Sequence, residues 1–421
     1  MLKIIASNFF VRFFSAIANL ILAVIISQYL GADGKGEQSI ILATITIILL
    51  FDNLIGGASI VYLTPRMGLK NLLFTSYLWS ILISLVCLII MLIIPGFSIK
   101  HLISIAILSG INSIASINSS VLIGKEKIQR SNLINFSIPF LTLFAIIYLF
   151  SIGKENNVFD YLTALYLAYG FAALLSLFFV FQELEKSDGF SIVLVKSTFK
   201  ALFFYGFQNQ LAHIFQLMSF RLSYFLLESN SGQKAVGVYS NGLSIVESIW
   251  MITSSISIYQ YARISNSNNI AYAKELTEKL LKLGISLASL ALLVVVLIPK
   301  GFYIWMFGSD FYELNVIIRR MAPGILVFNY ALILGHFFSG IGKYYVNAIA
   351  SFVGFLVTLI FSLVYFDQLT VFTSANIAVL SYLSTSLVVI AFYLKEGGKF
   401  VFFPRLSEIK LLMNQLGFFN K

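Results

Sequence analysis

Twelve apolar stretches recur along this 421-residue chain, and their length is the feature that most constrains its fold. A helix of ~20 residues rises about 30 Å, which is the thickness of the hydrocarbon core of a bilayer. The stretches therefore predict twelve membrane-spanning helices. They cover residues 5–30, 39–63, 71–94, 101–123, 131–150, 159–181, 201–227, 236–260, 278–299, 316–338, 345–366 and 373–394.

Composition supports an integral membrane protein. Hydrophobic residues make up 59% of the chain and charged residues 11%, against roughly 25% charged in soluble proteins. The net charge of +10 raises the question of a nucleic-acid partner. Of the 28 Lys and Arg, however, 19 lie at one end of the predicted helices and 5 at the other. Cytoplasmic loops of membrane proteins are enriched in basic residues, so we expect both termini in the cytoplasm and no nucleic-acid partner.

The two halves of the chain resemble each other when they are offset by 201 residues. This offset aligns four pairs of residues: Asn8 with Asn209, Arg12 with His213, Gly36 with Gly237, and Ser39 with Ser240. We therefore expect an all-α fold in which two six-helix bundles, related by a repeat, enclose a central cavity. The predicted segments are an N-terminal bundle at 1–190, a C-terminal bundle at 191–394 and an amphipathic cytoplasmic tail at 395–421. Repeats of this kind place the substrate site at their interface, near mid-membrane.

A polar stripe runs along the first predicted helix. Asn8, Arg12, Ser15 and Asn19 follow helical spacing and share one face of an otherwise apolar segment. An arginine at mid-membrane depth costs roughly 2.5–3.5 kcal/mol, so it usually faces a cavity or a partner. The alternative is that Arg12 extends to the inner interface, but this does not account for the polar residues beyond it.

A second stripe occupies the corresponding helix of the C-terminal half. It consists of Asn209, His213 and Gln216. We expect both stripes to bind substrate from opposite walls of the cavity.

The second predicted helix of each half contains one acid, Asp52 in the N-terminal half and Glu247 in the C-terminal half. Each is a candidate to balance a cavity arginine or to bind a coupling ion, H⁺ or Na⁺. A purely structural ion pair remains the alternative for either acid.

Three further arginines fall within predicted helices. Arg221 is a candidate substrate contact, and Arg319 and Arg320 are placed at the outer mouth of the cavity, where one could instead anchor the interface. A guanidinium binds two phosphate oxygens at once, so these positions suit a phosphate-bearing substrate.

A row of small polar residues marks one face of the fourth predicted helix. The row contains Ser109, Asn112, Ser113, Ser116 and Ser120. Close packing of helices is the simpler explanation for such a row, and a polar lining is the alternative.

Enzymatic chemistry is not indicated. The chain has one cysteine, Cys87, and three histidines without paired spacing, and it shows no catalytic triad or paired carboxylates. We expect no enzyme activity, no metal centre and no cofactor beyond a coupling ion.

Three segments resemble the polysaccharide flippases of the multidrug/oligosaccharidyl-lipid/polysaccharide (MOP) exporter superfamily, the Wzx-like branch. They are ISQYLGADGKGEQSIILATITIILLFDNLIGGASIVYLTPR at 26–66, AVGVYSNGLSIVESIW at 235–250 and FGSDFYELNVIIRRMAPGILVFNYALILGHFFSGIGKYYVNAIAS at 307–351. The resemblance implies two six-helix bundles around a cationic lumen that works by alternating access.

The resemblance also implies a substrate and a setting. The substrate would be an undecaprenyl-diphosphate-linked oligosaccharide, an O-antigen or capsule-type repeat unit, moved from the cytoplasmic to the periplasmic leaflet of the bacterial inner membrane. We expect a functional monomer that contacts membrane lipids, with a polymerase and a chain-length regulator as candidate partners in polysaccharide biosynthesis.

Two alternatives stay open. A drug/cation antiporter of the same superfamily should have an acidic or aromatic cavity, so the intramembrane arginines count against it. A membrane polysaccharide polymerase or ligase would need a large outer loop, and the longest predicted one, about 299–315, is short.

Overall fold

The computed structural model describes residues 2–93, 98–153, 156–184, 189–267 and 269–399, except for the side chains of residues 2–10, 12, 208 and 209. Within these ranges the secondary structure consists of thirteen α-helices and two short 3₁₀ turns. The helices are α1 Leu2–Asp52, α2 Gly57–Leu63, α3 Leu69–Ile93, α4 Ile99–Gly124, α5 Ile128–Ile152, α6 Val158–Glu183, α7 Ile192–Ser248, α8 Trp250–Ser265, α9 Ile270–Leu297, α10 Lys300–Phe307, α11 Leu314–Gly340, α12 Tyr345–Val364 and α13 Val371–Lys395. The 3₁₀ turns are Ser309–Phe311 and Phe366–Gln368.

The two longest helices each contain a break at a glycine. Helix α1 has 51 residues and α7 has 57, so an unbroken α1 would be about 75 Å long, more than twice the hydrocarbon thickness. Gly31 has φ 66 and ψ −169, and Gly232 has φ 78 and ψ 175. This backbone region is essentially restricted to glycine. Each long helix is therefore two spans that meet at a turn.

The number of spans agrees with the sequence prediction. By length and composition, nine of the described helices are apolar enough to cross a membrane, or ten when the bent pair α7–α8 counts as one span. Dividing α1 and α7 at their glycines yields six spans in each half. The prediction of an all-α, multi-pass membrane protein with about twelve spans is confirmed.

Side-chain caps determine where several helices begin. Ser98 accepts a hydrogen bond from the His101 backbone N–H at the start of α4, and Asn269 caps α9 in the same way. Asn157 and Asp160 form a reciprocal capping box on α6. These caps satisfy backbone donors that the first turn of a helix leaves unpaired.

The chain forms two compact units, residues 1–214 and 215–421, called here the N-terminal and C-terminal units. The division falls inside α7, whereas the sequence prediction placed the boundary in the preceding loop, at 190. The core of the N-terminal unit packs α1, α4, α5 and α6 around buried side chains such as Ile26, Ile105 and Tyr161. In the C-terminal unit, α11 packs against α8, α9 and α13. The predicted tail at 395–421 lies mostly outside the described residues.

Helix positions show that the internal repeat has two registers. The offset of 201 relates the breaks at Gly31 and Gly232 and the starts of α3 and α9, Leu69 and Ile270. After α10 the offset is 213, as shown by Val158 at the start of α6, which corresponds to Val371 at the start of α13. The difference of 12 residues falls where the C-terminal unit contains α10 and its 3₁₀ turn. The short helix α10 is therefore an insertion between two otherwise equivalent halves.

Candidate functional site

The second span of each unit is broken, and each break lies beside one of the two predicted acids. Asp52 is the last residue of α1, and α2 starts at Gly57. Glu247 is next to the last residue of α7, and α8 starts after one intervening residue with its axis bent by 41°. Broken membrane helices often form ion and substrate sites, since their ends expose backbone dipoles inside the membrane.

The Asp52 carboxylate is buried without compensation. Asp52 is 3% exposed, and neither of its carboxylate oxygens has a hydrogen-bond partner among the described residues. Ser113 of α4 is its polar neighbour, although the two groups do not reach hydrogen-bond geometry. Burial of an unpaired carboxylate costs several kcal/mol even after the protein relaxes.

The backbone around this break is satisfied, in contrast to the carboxylate. Trp79 of α3 donates its indole N–H to the Phe51 carbonyl at 3.0 Å, and the Ser76 hydroxyl donates to the Ile55 carbonyl at 3.1 Å. The Asp52 carbonyl accepts from the Ile55 N–H at 3.1 Å. Two side chains of α3 therefore hold the backbone of the break in place. Neither of them bonds the Asp52 carboxylate.

The acid beside the second break is paired. Nη2 of Arg221 lies 3.3 Å from Oε2 of Glu247, and Nη1 donates to the hydroxyl of Tyr224 at 3.0 Å. The ring of Tyr239 packs edge-on against that of Tyr224, with centroids 5.8 Å apart. The other Glu247 oxygen, Oε1, is buried and has no hydrogen-bond partner in the part of the chain that the structure describes. Two residues that the sequence predicted separately thus form one ion pair.

An aromatic cluster fixes the second break from the other side. The indole of Trp250, the first residue of α8, donates to the Ile325 carbonyl at 3.2 Å. Phe220, Phe328 and Tyr382 surround it, with ring centroids 4.6–5.4 Å from that of Trp250. Aromatic packing of this kind makes the bend a defined feature of the core.

The two polar stripes are only partly described. Ser15 is half-buried and Asn19 is exposed, while in the second stripe His213 is exposed and Gln216 is half-buried. The predictions for Asn8, Arg12 and Asn209 fall on side chains outside the described set. The role of the stripes in substrate binding stays a prediction.

Arg319 and Arg320 lie in the second turn of α11 and are exposed. The Nε of Arg319 donates to the Val296 carbonyl at 3.3 Å, and the Arg320 guanidinium lies 4.7 Å from the ring centroid of Phe372. Both side chains are thus held by neighbours within their own unit.

Sequence reasoning missed the groups that surround each acid. Tyr224, Tyr239 and Tyr382 accompany the Arg221–Glu247 pair, but aromatic residues are too frequent in this chain to single them out. Ser80 and Ser84, one and two turns beyond Ser76 on α3, are isolated serines in an apolar run. The repeat did contain a signal for the breaks in the two long helices, because Gly31 and Gly232 match at the same offset of 201. Among the described residues, no three His, Cys, Asp or Glu side chains are grouped to hold a metal ion.

Comparisons with known proteins identify the fold. No family model matches the chain, and no curated protein matches it. An inward-facing multidrug resistance MATE family transporter of the MOP superfamily matches with a TM-score of 0.72 and 15% identity, covering 95% of this chain and 96% of that one. The lipid II flippase MurJ in its inward closed conformation matches with a TM-score of 0.73 and 16% identity, covering 97% of this chain and 90% of that one.

A third match shows how far the fold extends. A MOP superfamily transporter from Pyrococcus furiosus, described as having a binding pocket of reverse polarity, has a TM-score of 0.60 and 13% identity, covering 94% of each chain. The chain therefore has the fold of the MOP superfamily transporters along nearly its whole length. This is the fold that the sequence resemblance implied, and by itself it does not separate the flippase from the MATE family transporter.

Proposed function

We propose that this protein is a flippase that moves an undecaprenyl-diphosphate-linked oligosaccharide from the cytoplasmic to the periplasmic leaflet of the bacterial inner membrane by alternating access. The fold is shared with a lipid II flippase over 97% of the chain. The observation that carries the proposal is a basic residue at membrane depth, Arg12, on a polar helix face that the repeat reproduces with His213.

The charge balance of the site refines the proposed roles. Glu247 neutralises Arg221, so Arg221 contributes less to an anion site than its position in the sequence indicated. The phosphate-binding role therefore falls mainly on Arg12 and His213. A guanidinium suits a diphosphate because it offers two parallel donors to two oxygens.

The setting of the proposal follows the charge distribution. With both termini in the cytoplasm, Arg12 lies in the cytoplasmic third of the first span, where it would meet the diphosphate at loading. We propose that the protein acts as a monomer, coupled to H⁺ or Na⁺, and that polysaccharide polymerase and chain-length proteins are its partners. No enzymatic step is required, since translocation breaks no bond of the substrate.

Replacement of Arg12 tests the function. Arg12→Ala should reduce surface polysaccharide at least tenfold in cells that depend on this protein. Arg12→Lys should retain part of the activity, because it keeps the charge and loses the bidentate geometry. The measurement is the amount of surface polysaccharide, normalised to the amount of protein in the membrane fraction.

Arg66→Ala is the matched control. Arg66 is exposed, and its guanidinium donates to the Tyr62 carbonyl of its own helical segment. It should leave the polysaccharide unchanged. Normal polysaccharide from a normally inserted Arg12→Ala protein would contradict the role given to Arg12.

An antiporter for drugs or organic cations is the second candidate, favoured by the match to the MATE family transporter. It predicts that cells lacking this protein become sensitive to cationic drugs while their surface polysaccharide is intact. The flippase predicts the opposite result in both measurements.

A further inference from the structure

The unpaired acid at the first break needs a positive charge that the described part of the protein does not supply. Asp52 is buried in a segment that crosses the membrane, and both of its carboxylate oxygens lack partners among the described residues. Water cannot compensate an ionised group at this depth, so the carboxylate requires a cation or a proton.

Three buried serine hydroxyls on α3 and α4 lack the hydrogen bond that a helical serine usually makes. Serine and threonine in a helix commonly donate to the carbonyl four residues earlier, as Thr75 and Ser109 do at 2.7 Å. Ser80, Ser84 and Ser113 are at most 8% exposed, and their hydroxyls have no partner within the described ranges. Ser113 neighbours the Asp52 carboxylate, and Ser80 and Ser84 lie on the adjacent helix α3, so a ligand shared by these unpaired groups would account for all of them.

Helix α3 carries Ser80 and Ser84 on the face that begins beside Asp52. Ser76 and Trp79 bond to backbone carbonyls on either side of Asp52, so this face of α3 packs on the end of α1. Ser80 and Ser84 continue the face at helical spacing. Cys87, one turn beyond Ser84, is within electrostatic range of the Asp52 carboxylate. Ser113 approaches the same carboxylate from α4.

The C-terminal unit shows what completes such an arrangement. There the acid beside the break, Glu247, is paired with the guanidinium of Arg221. At the offset of 201, the residue that corresponds to Arg221 is Leu20. The N-terminal half therefore repeats the break and an adjacent acid but has an apolar residue where the C-terminal half has the cation.

We propose that Asp52, Ser80, Ser84 and Ser113 bind a monovalent metal cation. Among such cations, Na⁺ fits these ligands best. All donors are hard oxygens, which bind hard cations. One carboxylate neutralises one positive charge, whereas a divalent ion would leave an excess charge in the membrane. The carboxyl end of α1 adds the negative end of a helix dipole, the arrangement that binds cations in broken membrane helices.

A proton accounts for fewer of the observations. A proton on Asp52 would bridge two oxygens and would leave the other hydroxyls without a reason to abandon their helical bonds. A metal cation takes several oxygen ligands at once and occupies all three.

Direct binding of ²²Na⁺ to the purified full-length protein in detergent tests the site without any substrate. The wild type should bind one Na⁺ per chain. Asp52→Asn should lose at least tenfold in affinity, and Ser113→Ala should lose severalfold. Ser109→Ala is the matched control, as this buried serine of the same helix donates to its own backbone and should bind Na⁺ normally. Monodisperse elution and an unchanged helical spectrum show that each variant is folded.

Three outcomes would overturn the proposal. They are no Na⁺ binding by the folded wild type at 100 mM, wild-type affinity in folded Asp52→Asn, and proton uptake at Asp52 that Na⁺ does not displace. Because the measurement involves no transport, Na⁺ binding without polysaccharide export would refute the proposed function alone. The converse result would refute the cation site alone.

Discussion

The broken second spans of the two units differ in how the neighbouring acid is compensated. In both, a membrane helix stops near a carboxylate, Asp52 in one unit and Glu247 in the other. Glu247 has an arginine 3.3 Å away and three tyrosines around it. Asp52 has Ser113 as its polar neighbour, and neither of its carboxylate oxygens has a hydrogen-bond partner among the described residues.

This difference shows that the helix break and the cation that compensates the neighbouring acid are independent features of the fold. The break recurs because the backbone geometry of each half is repeated, including the glycine turns at Gly31 and Gly232. The compensation does not recur, since Arg221 corresponds to Leu20. The acid of the C-terminal half thus has a built-in cation, whereas the acid of the N-terminal half has none among the described residues.

The largest effect is expected from breaking the permanent pair. Arg221→Met leaves Glu247 buried without a cation and should lower the free energy of unfolding by about 3 kcal/mol. The estimate is at the low end of the usual range because the Arg221 side chain is 22% exposed. Denaturant unfolding in detergent measures it. The double variant Arg221→Met/Glu247→Leu should recover most of the loss, because neither charge remains. Equal stability of the single and double variants would show that the two residues are not coupled.

The next largest loss of stability is expected when the glycine of either turn is replaced, and the loss should be similar in both halves. A Cβ at Gly232 would meet open space, so the cost of Gly232→Ala is backbone strain alone, about 1–3 kcal/mol. Gly31→Ala should cost a similar amount, given its similar φ and ψ. Gly170→Ala is the control, since Gly170 also faces open space but lies inside α6, where alanine should be neutral or stabilising by up to ~1 kcal/mol. A neutral Gly232→Ala would mean that packing, not glycine, determines the turn.

The fold could be predicted from the sequence because a lipid bilayer permits few kinds of backbone structure. Runs of about 20 apolar residues must be helices, since a helix pairs its own backbone polar groups. The offset of 201 found the repeat, yet it missed the second register of 213. The reason is physical: α10 interrupts the second half by 12 residues, and a short insertion between two spans does not alter the apolar pattern of the spans themselves.

The sites were harder to predict than the fold. Asp52 and Glu247 were found because charged residues are rare in membrane spans, but which of them is paired depends on how neighbouring spans pack against each other. Glu247 and Arg221 are 26 residues apart, on either side of the break at Gly232. The serines near Asp52 carry no sequence signal, because serine also mediates ordinary helix packing.

A smaller effect distinguishes the two acids directly. In Na⁺-free buffer Asp52→Asn should be as stable as the wild type or more stable, because it removes an uncompensated charge, whereas Glu247→Gln should be less stable. Na⁺ at ten times its Kd should stabilise the wild type by about 1.4 kcal/mol and leave Asp52→Asn unchanged. Thermal unfolding with and without Na⁺, using K⁺ as the reference salt, measures both. Destabilisation of Asp52→Asn in Na⁺-free buffer would show that this acid has a partner within the protein.

The smallest effects on stability are expected from two ion pairs that occupy equivalent positions in the two halves. Nη1 of Arg130 lies 2.8 Å from Oε1 of Glu183, and at the offset of 213 Nζ of Lys343 lies 2.5 Å from Oε1 of Glu396. Glu183→Gln should cost under about 1 kcal/mol. Glu396→Gln should cost less, because both Lys343 and Glu396 are more exposed than Arg130 and Glu183, respectively.

The pH dependence of the second pair has a definite sign. The hydrogen bond to Glu396 raises the pKa of Lys343 above its ordinary value of 10.5. A raised lysine pKa stabilises the folded state fully below the ordinary value, and the stabilisation is lost as the pH rises through the higher folded value. The difference in thermal midpoint between wild type and Glu396→Gln should therefore be constant from about pH 6 to about pH 9 and shrink only in stronger base. A difference that changes near neutral pH would mean that another group titrates with this pair.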